Sequence, residues 1–156
     1  MEKIRMTKLK LAIGSDHGGF DLKEEIIVEL KSWDYEVIDF GCFNKDSFDY
    51  PDSGHKVSRA VASGEVDRGI LICTTGIGMS MVANRYSKVR AALCRSCDMT
   101  YLTRIHNNAN MIVFGARYTT ILDARAMLIV FLESQFSEVD RHIKRVEKIE
   151  KCLGPE

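Results

Sequence analysis

The sequence has no net charge, no long apolar segment and no even set of cysteines, and the first two absences exclude whole classes of protein. Its 22 Lys and Arg residues equal its 22 Asp and Glu residues, so no overall field attracts nucleic acid or an anionic membrane. No segment reaches the roughly 18 apolar residues that span a bilayer, and no apolar core follows the basic N-terminal stretch. We therefore expect a cytoplasmic protein with neither nucleic-acid nor membrane partners.

Several cofactor motifs are also missing or incomplete. The five cysteines are unevenly spaced, which favours reduced thiols over a disulfide framework. Cys94 and Cys97 have C-x-x-C spacing, but a zinc site needs a second such pair. Gly76 and Gly78 begin like a dinucleotide fingerprint, but Met81 replaces the third glycine, and no GKS or GKT completes a P-loop. We expect no metal and no other cofactor.

Apolar runs alternate with amphipathic segments along the whole chain, which predicts an α/β fold. The predicted strands cover residues 10–15, 35–40, 69–73, 89–94 and 110–115. Apolar residues at helical spacing predict helices within 22–33, 57–64, 79–83, 99–105, 121–133 and 139–153. This order requires a parallel sheet of five strands covered on both faces, with an extended C-terminal helix. We expect a single domain over residues 1–156.

The stretch 69–80, GILICTTGIGMS, joins a buried strand to a helix through a glycine-rich turn. Thr75 is the predicted N-cap, and Gly76 and Gly78 let the backbone approach a ligand. Free N–H groups at this turn would hold an anionic transition state and would stabilise a thiolate at Cys73, which makes Cys73 a candidate base. The alternative is that Cys73 is a small core residue before a turn.

Other polar residues lie in loops, where ligands bind in parallel sheets. If strand two lies outside strand one and strand three on its other side, Asp16 and His17 face the same crevice as Cys73. Asp16 and His17 could alternatively cap a helix, and Arg141 and Arg145, one turn apart, could either form a solvated face or bind a phosphate. The remaining candidates are Tyr50, His106, Asn107 and Arg117.

Five blocks follow one another in an order that is specific to one enzyme family. They are GSDHGGFDLKEEI, DYPD, GILICTTGIGMSMVAN, RIHNNANMIVFGAR and DRHIKRVEKIE. Over about residues 8–151 the chain resembles the ribose-5-phosphate isomerase B family. The resemblance implies a Rossmann-like three-layer sandwich and a metal-independent isomerase that interconverts ribose 5-phosphate and ribulose 5-phosphate, through an enediolate, in the pentose phosphate pathway. It also implies a homodimer, or a tetramer, whose active sites borrow residues from the partner.

The resemblance assigns roles to individual residues. Cys73 falls on the catalytic base and His106 on the acid/base of ring opening, while Thr75 and the loop amides would hold the enediolate. The family's phosphate-contacting positions are Arg117, Arg141 and Arg145. Its substrate-contacting positions are Asp16, His17, Thr74, Gly76, Ile77, Gly78 and Asn107. Thr74 replaces a glycine that is common in the family, so a positive φ there would strain this β-branched residue.

Two other functions compete with the pentose phosphate reaction. An isomerase of galactose or allose 6-phosphate would use the same fold and the same residues. A non-catalytic nucleotide-binding module would instead keep Cys73 as inert core and use the glycines to hold a phosphate. The last helix bears on assembly, because its apolar stripe must pack on its own sheet or on another chain. This stripe comprises Val139, Ile143, Val146, Ile149 and Leu153.

Overall fold

The computed structural model describes residues 8–151, within which strands and helices alternate as the sequence predicts. The strands are β1 Lys10–Ser15, β2 Glu36–Asp39, β3 Arg68–Cys73, β4 Ala91–Leu93 and β5 Met111–Gly115. The α-helices are α1 Phe20–Ser32, α2 Tyr50–Ser63, α3 Ile77–Ala83, α4 Cys97–Asn107, α5 Ile121–Glu133 and α6 Asp140–Glu150. A short 3₁₀ turn, His17–Gly19, links β1 to α1.

The five strands form one parallel sheet in the order β2-β1-β3-β5-β4. Strand two therefore lies outside strand one, and strand three lies on its other side, as predicted. Ser15 pairs with Ile72, and Cys73 pairs with Gly115. The carboxyl ends of β1, β3 and β5 consequently meet at one edge of the sheet, where the winding reverses.

Apolar side chains alternate between the two faces of the sheet and build a core on each. On one face Ile13, Ile72 and Phe114 pack among residues of α1 and α5. On the other face Leu71 and Val113 pack among residues of α2 and α3. Helices thus cover both faces, which confirms the three-layer α/β sandwich.

Several predicted boundaries differ from the observed ones. Helix α2 begins at Tyr50, well before Val57, because Pro51 is compatible with the first turn, where its missing N–H has no helical partner. Strand β4 is shorter than predicted, and this edge strand pairs with β5 alone. Helix α6 ends at Glu150, and Leu153 lies outside the described residues.

The prediction that Thr75 caps α3 is wrong, because the N-cap is Gly76 in the left-handed region at φ +78°. A Cβ atom at Gly76 would lie 2.5 Å from Leu93 Cδ1 and 3.0 Å from the carbonyl carbon of Phe114. Only glycine fits this turn, so the helix begins one residue later. The Thr75 hydroxyl instead accepts a hydrogen bond from the N–H of Ile77 at 3.3 Å.

Replacing Gly76 by alanine should destabilise the protein more than the same change at Gly64. Gly64 has the same φ of +78°, but no atom lies within 4 Å of its Cβ position. We expect Gly64→Ala to lower the free energy of unfolding by about 1 kcal/mol, from the left-handed backbone alone. Gly76→Ala should lower it by about 3 kcal/mol or more, because overpacking is added. Urea unfolding at one protein concentration measures both, and equal losses would contradict the packing argument.

Candidate active site

Cys73 ends β3, and its sulfur faces the backbone of the following turn. The side chain is 4% exposed, and Sγ accepts a hydrogen bond from the N–H of Gly76 at 3.1 Å. This contact directs a backbone hydrogen-bond donor at the sulfur. The structure therefore places Cys73 as the sequence predicts, at the carboxyl end of a buried strand and beside the glycine-rich turn.

The loop after β1 lies directly beside this turn. The N–H of Asp16 donates to the carbonyl of Ile72 at 3.2 Å, and Asp16 Oδ1 accepts from the N–H of Gly19 at 2.9 Å. Asp16 is 6% exposed, and a Cβ atom at Gly18 would collide with Thr74 Oγ1. The Asp16 loop and the Cys73 loop thus form the two walls of one crevice.

Thr74 is not strained. Among the non-glycine residues that the structure describes, a positive φ occurs at Asp34, Lys88, Asn108 and Glu138, and not at Thr74. A threonine therefore fits this position of the loop without the backbone cost that a positive φ would impose. Its exposed side chain extends over Gly18 at the mouth of the crevice.

His17 and Tyr50 extend the same crevice. His17 Nδ1 accepts a hydrogen bond from the N–H of Phe48 at 3.1 Å, which fixes the ring against the segment before α2. The Tyr50 ring lies over Gly78, since a Cβ atom there would be 2.5 Å from Tyr50 Cζ and 2.8 Å from its hydroxyl oxygen. Glycine at position 78 thus leaves space for the Tyr50 ring.

Arg117 flanks the Cys73 loop from the end of β5. Its backbone N–H donates to the carbonyl of Thr74 at 3.0 Å, and its side chain is exposed. One chain therefore brings together a set that we call the carboxyl-edge group. Its members are Asp16, His17, Tyr50, Cys73, Thr74, Thr75, Gly76, Ile77, Gly78 and Arg117.

His106 and Asn107 lie at the opposite edge of the sheet. Helix α4 leaves the carboxyl end of β4 and runs back to the start of β5, so its last turn reaches the amino edge. There the carbonyl of Asn110 accepts from the N–H of Gly69 at 3.0 Å. Gly69 and Cys73 are separated by about 13 Å of strand. Within one chain, His106 and Asn107 therefore do not reach the crevice that holds Cys73.

Helix α6 packs beside the end of α4 and carries the two candidate arginines. The rings of His106 and His142 have centroids 4.4 Å apart, and Arg141 and Arg145 flank His142 on an exposed helix surface. We call His106, Asn107, Arg141 and Arg145 the amino-edge group. Its four side chains are cationic or hydrogen-bonding, which suits a phosphate or a sugar oxygen.

The sequence analysis missed His142, which is 5% exposed. Its Nδ1 is 2.7 Å from Ser137 Oγ. Burial lowers the pKa of His142, and the charges of His106, Arg141 and Arg145 lower it further. A histidine placed between basic residues on a charged helix looks solvent-exposed in sequence. Its spacing, three residues after Val139 and four before Val146, is the sequence signal that places it on the apolar face.

The far end of α6 is fixed to the sheet. Glu150 forms an ion pair with Arg90 and accepts from the N–H of Lys88 at 3.0 Å. The apolar stripe of α6 is only partly covered by its own chain, since Val139 is 41% and Ile149 is 55% exposed. The helix is thus anchored to its own chain while part of its apolar stripe faces outward.

Cys94 and Cys97 are both free thiols and form no disulfide with each other. Cys94 is buried, and burial raises the pKa of its thiol, whereas Cys97 is exposed. Within residues 8–151 no group of three or more His, Cys, Asp or Glu side chains is arranged to hold a metal ion. No helix in that part of the chain is long and apolar enough to cross a membrane.

The part of the chain that matches a known protein family contains the residues of both groups. The pattern of the Ribose/Galactose Isomerase family matches residues 11–149. Ribose-5-phosphate isomerase B of Escherichia coli K12 is 43% identical over 140 residues, which cover 90% of this chain and 93% of that protein.

Solved structures agree with this match. The crystal structure of a ribose 5-phosphate isomerase from Thermotoga maritima is 44% identical with a TM-score of 0.90, covering 92% of this chain and 99% of that one. Ribose-5-phosphate isomerase B from Clostridium thermocellum is 47% identical with a TM-score of 0.89, covering 91% and 95%. The chain belongs to the ribose/galactose isomerase family.

Proposed function

We propose that this protein is an aldose–ketose isomerase that interconverts ribose 5-phosphate and ribulose 5-phosphate. One observation carries the proposal: the Cys73 sulfur accepts a backbone hydrogen bond from Gly76 and lies in the crevice beside the Asp16 loop. The identity of this chain to proteins named ribose-5-phosphate isomerase B supports the choice of a pentose phosphate. We further propose that residues 1–156 form one catalytic domain that works in the cytoplasm, where its thiols stay reduced.

The reaction moves a proton between adjacent carbons of the open-chain sugar. Cys73, as thiolate, removes the proton from C2 of the aldose and forms an enediolate. The thiol then returns a proton to C1, while the proton of the C2 hydroxyl passes to O1 through solvent, which gives the ketose. The N–H groups of the loop 74–78 other than those of Gly76 and Ile77, which bond Cys73 and Thr75, stabilise the negative charge that develops on the sugar oxygens, and the Thr75 hydroxyl donates to the same charge. Asp16, His17 and Tyr50 hold the sugar hydroxyls along the crevice.

Ring opening needs a second acid/base, because ribose 5-phosphate is mainly cyclic in solution. The C1–O4 bond breaks, the proton of the C1 hydroxyl leaves, and O4 gains a proton. An imidazole suits both transfers, since its charge changes near neutral pH. His106 is the candidate, but it lies at the opposite sheet edge from Cys73 in its own chain.

A symmetric homodimer would solve this separation. Each carboxyl-edge group would meet the partner's His106, which would act on the sugar ring. Arg117 would then bind the phosphate together with Arg141 of the partner subunit and Arg145 of the partner subunit. The partly exposed stripe of α6 supports such an assembly, as do the exposed apolar residues Met81, Met99 and Tyr101 on α3 and α4. A tetramer of two such dimers would keep the same sites.

The function is tested by assaying the purified protein with ribose 5-phosphate, allose 6-phosphate and galactose 6-phosphate in buffer containing EDTA. We expect turnover of ribose 5-phosphate and little of either hexose phosphate. Cys73→Ala should lower kcat by about 10³-fold with KM nearly unchanged, because the base acts in the transition state. The matched control is Cys97→Ala, which removes an exposed thiol.

Three results would contradict this proposal. Turnover by Cys73→Ala at the wild-type rate would exclude Cys73 as the base. Preferential turnover of a hexose phosphate would overturn the substrate assignment. Loss of activity in EDTA that added Mg²⁺ or Zn²⁺ restores would overturn the expectation that no metal is needed.

The shared site is tested by mixing inactive variants under conditions in which subunits exchange. A dimer of one Cys73→Ala chain and one Arg141→Ala, Arg145→Ala chain contains one site with neither defect. Random exchange at equal amounts should therefore restore about one quarter of the wild-type activity.

A second mixture serves as the control. His106→Asn and the double arginine variant alter the same side of the site, so every mixed dimer of these two has two defective sites. This mixture should stay inactive. Activity in the control mixture, or none in the first mixture after demonstrated exchange, would contradict the shared site.

A further inference from the structure

Three contacts connect the end of α4, which carries His106, to Ser137 and His142. The Ser137 N–H donates to the carbonyl of Ile105 at 3.2 Å, which ties the segment between α5 and α6 to the last turn of α4. Ser137 Oγ lies 2.7 Å from His142 Nδ1. The ring of His142 then lies 4.4 Å from the ring of His106, centroid to centroid, at an interplanar angle of 47°.

These contacts hold His142 more tightly than they hold His106. The His142 side chain is almost fully buried, and the backbone N–H of His142 donates to the carbonyl of Val139 at 2.8 Å. His106 is half-buried and has the more accessible ring. A buried ring with a hydroxyl partner has few rotamers open to it, so its face forms a fixed wall for the neighbouring imidazole.

Charge also distinguishes the two histidines. His142 faces His106 on α4 and has Arg141 and Arg145 beside it on α6. Burial and these cationic neighbours disfavour a proton on His142. A neutral His142 therefore places no positive charge against the face of the His106 ring.

We propose that His142, held by Ser137, is the positioning residue for ring opening and orients the His106 imidazole toward the sugar. This inference rests on the proposed function, because it takes His106 as the acid/base of that step. In this proposal His142 takes no part in the proton transfer between C2 and C1 that Cys73 carries out. Loss of His142 should therefore affect ring opening and spare enediolate formation.

The two steps can be measured separately. Ribulose 5-phosphate cannot form a five-membered ring, because its C5 oxygen carries the phosphate. In D₂O, Cys73 removes a proton from C1 of the ketose, the thiol exchanges with solvent, and deuterium returns to C1. This exchange, followed by NMR, requires no ring opening or closure, whereas conversion of cyclic ribose 5-phosphate does.

The variant His142→Asn retains an amide near the position of Nδ1 and removes the ring. We expect kcat with ribose 5-phosphate to fall about tenfold or more, because displacing a catalytic group by about 1 Å is costly, while C1 exchange stays within about twofold of wild type. His106→Asn should show the same selective pattern with a larger loss. Ser137→Ala, a change at an exposed residue, should show a smaller selective loss without threatening the fold.

His55→Asn is the matched control. His55 is also half-buried, with Nδ1 2.7 Å from the Tyr86 hydroxyl and its ring 5.7 Å from the Tyr86 ring, and it belongs to neither group. The His55→Asn variant should leave ribose 5-phosphate turnover and C1 exchange unchanged.

The outcomes separate the two proposals. If both His142→Asn and Ser137→Ala leave both reactions unchanged, or lower both equally, the positioning role is wrong while the proposed function stands. If wild-type protein catalyses neither reaction, the proposed function itself fails. A selective loss of ribose 5-phosphate turnover in both variants supports the inference.

Discussion

Each helix of a parallel sheet must return the chain to the edge from which the next strand begins, and the candidate site depends on this constraint. Residues that follow strands collect at the carboxyl edge, as Asp16, Cys73 and Arg117 do. Residues at the ends of helices collect at the amino edge, as His106 does. The same sheet thus has the thiol of Cys73 in a crevice at one edge and a surface of basic side chains at the other.

The two groups are chemically complementary. The carboxyl-edge group offers a thiol with backbone donors, which suits proton transfer at carbon and an anionic intermediate. The amino-edge group offers an imidazole and two guanidinium groups, which suit ring opening and phosphate binding. A sugar phosphate requires all of these at once. The proposed homodimer would bring the carboxyl-edge group of one chain to the amino-edge group of the other.

Much of the fold follows from apolar runs and their order. Strand β1 and helix α5 have the predicted bounds because each is a strongly patterned segment with clear ends. The meeting of Asp16 with Cys73 was predictable too, since strand order alone places their loops together. The N-cap of α3 was not predictable, because the choice of Gly76 over Thr75 depends on Leu93 and Phe114, which are distant in sequence.

The division of the site could not be read from residue types. His106 and Cys73 are both polar residues near predicted strands, and only the direction of α4 shows that they lie at opposite edges. The burial of His142 was not predicted, for a related reason. Its neighbours Arg141 and Arg145 give it the appearance of a solvated residue, whereas packing against α4 buries it.

The central claim is that one active site contains Cys73 of one subunit and His106 of the other. A crystal structure of the Cys73→Ala variant with ribose 5-phosphate tests it most directly. We predict that the sugar lies beside residue 73 of one chain, with the partner's His106 at its ring oxygen and the partner's Arg141 at its phosphate. A sugar bound at residue 73 with no residue of a second chain in contact would contradict the account.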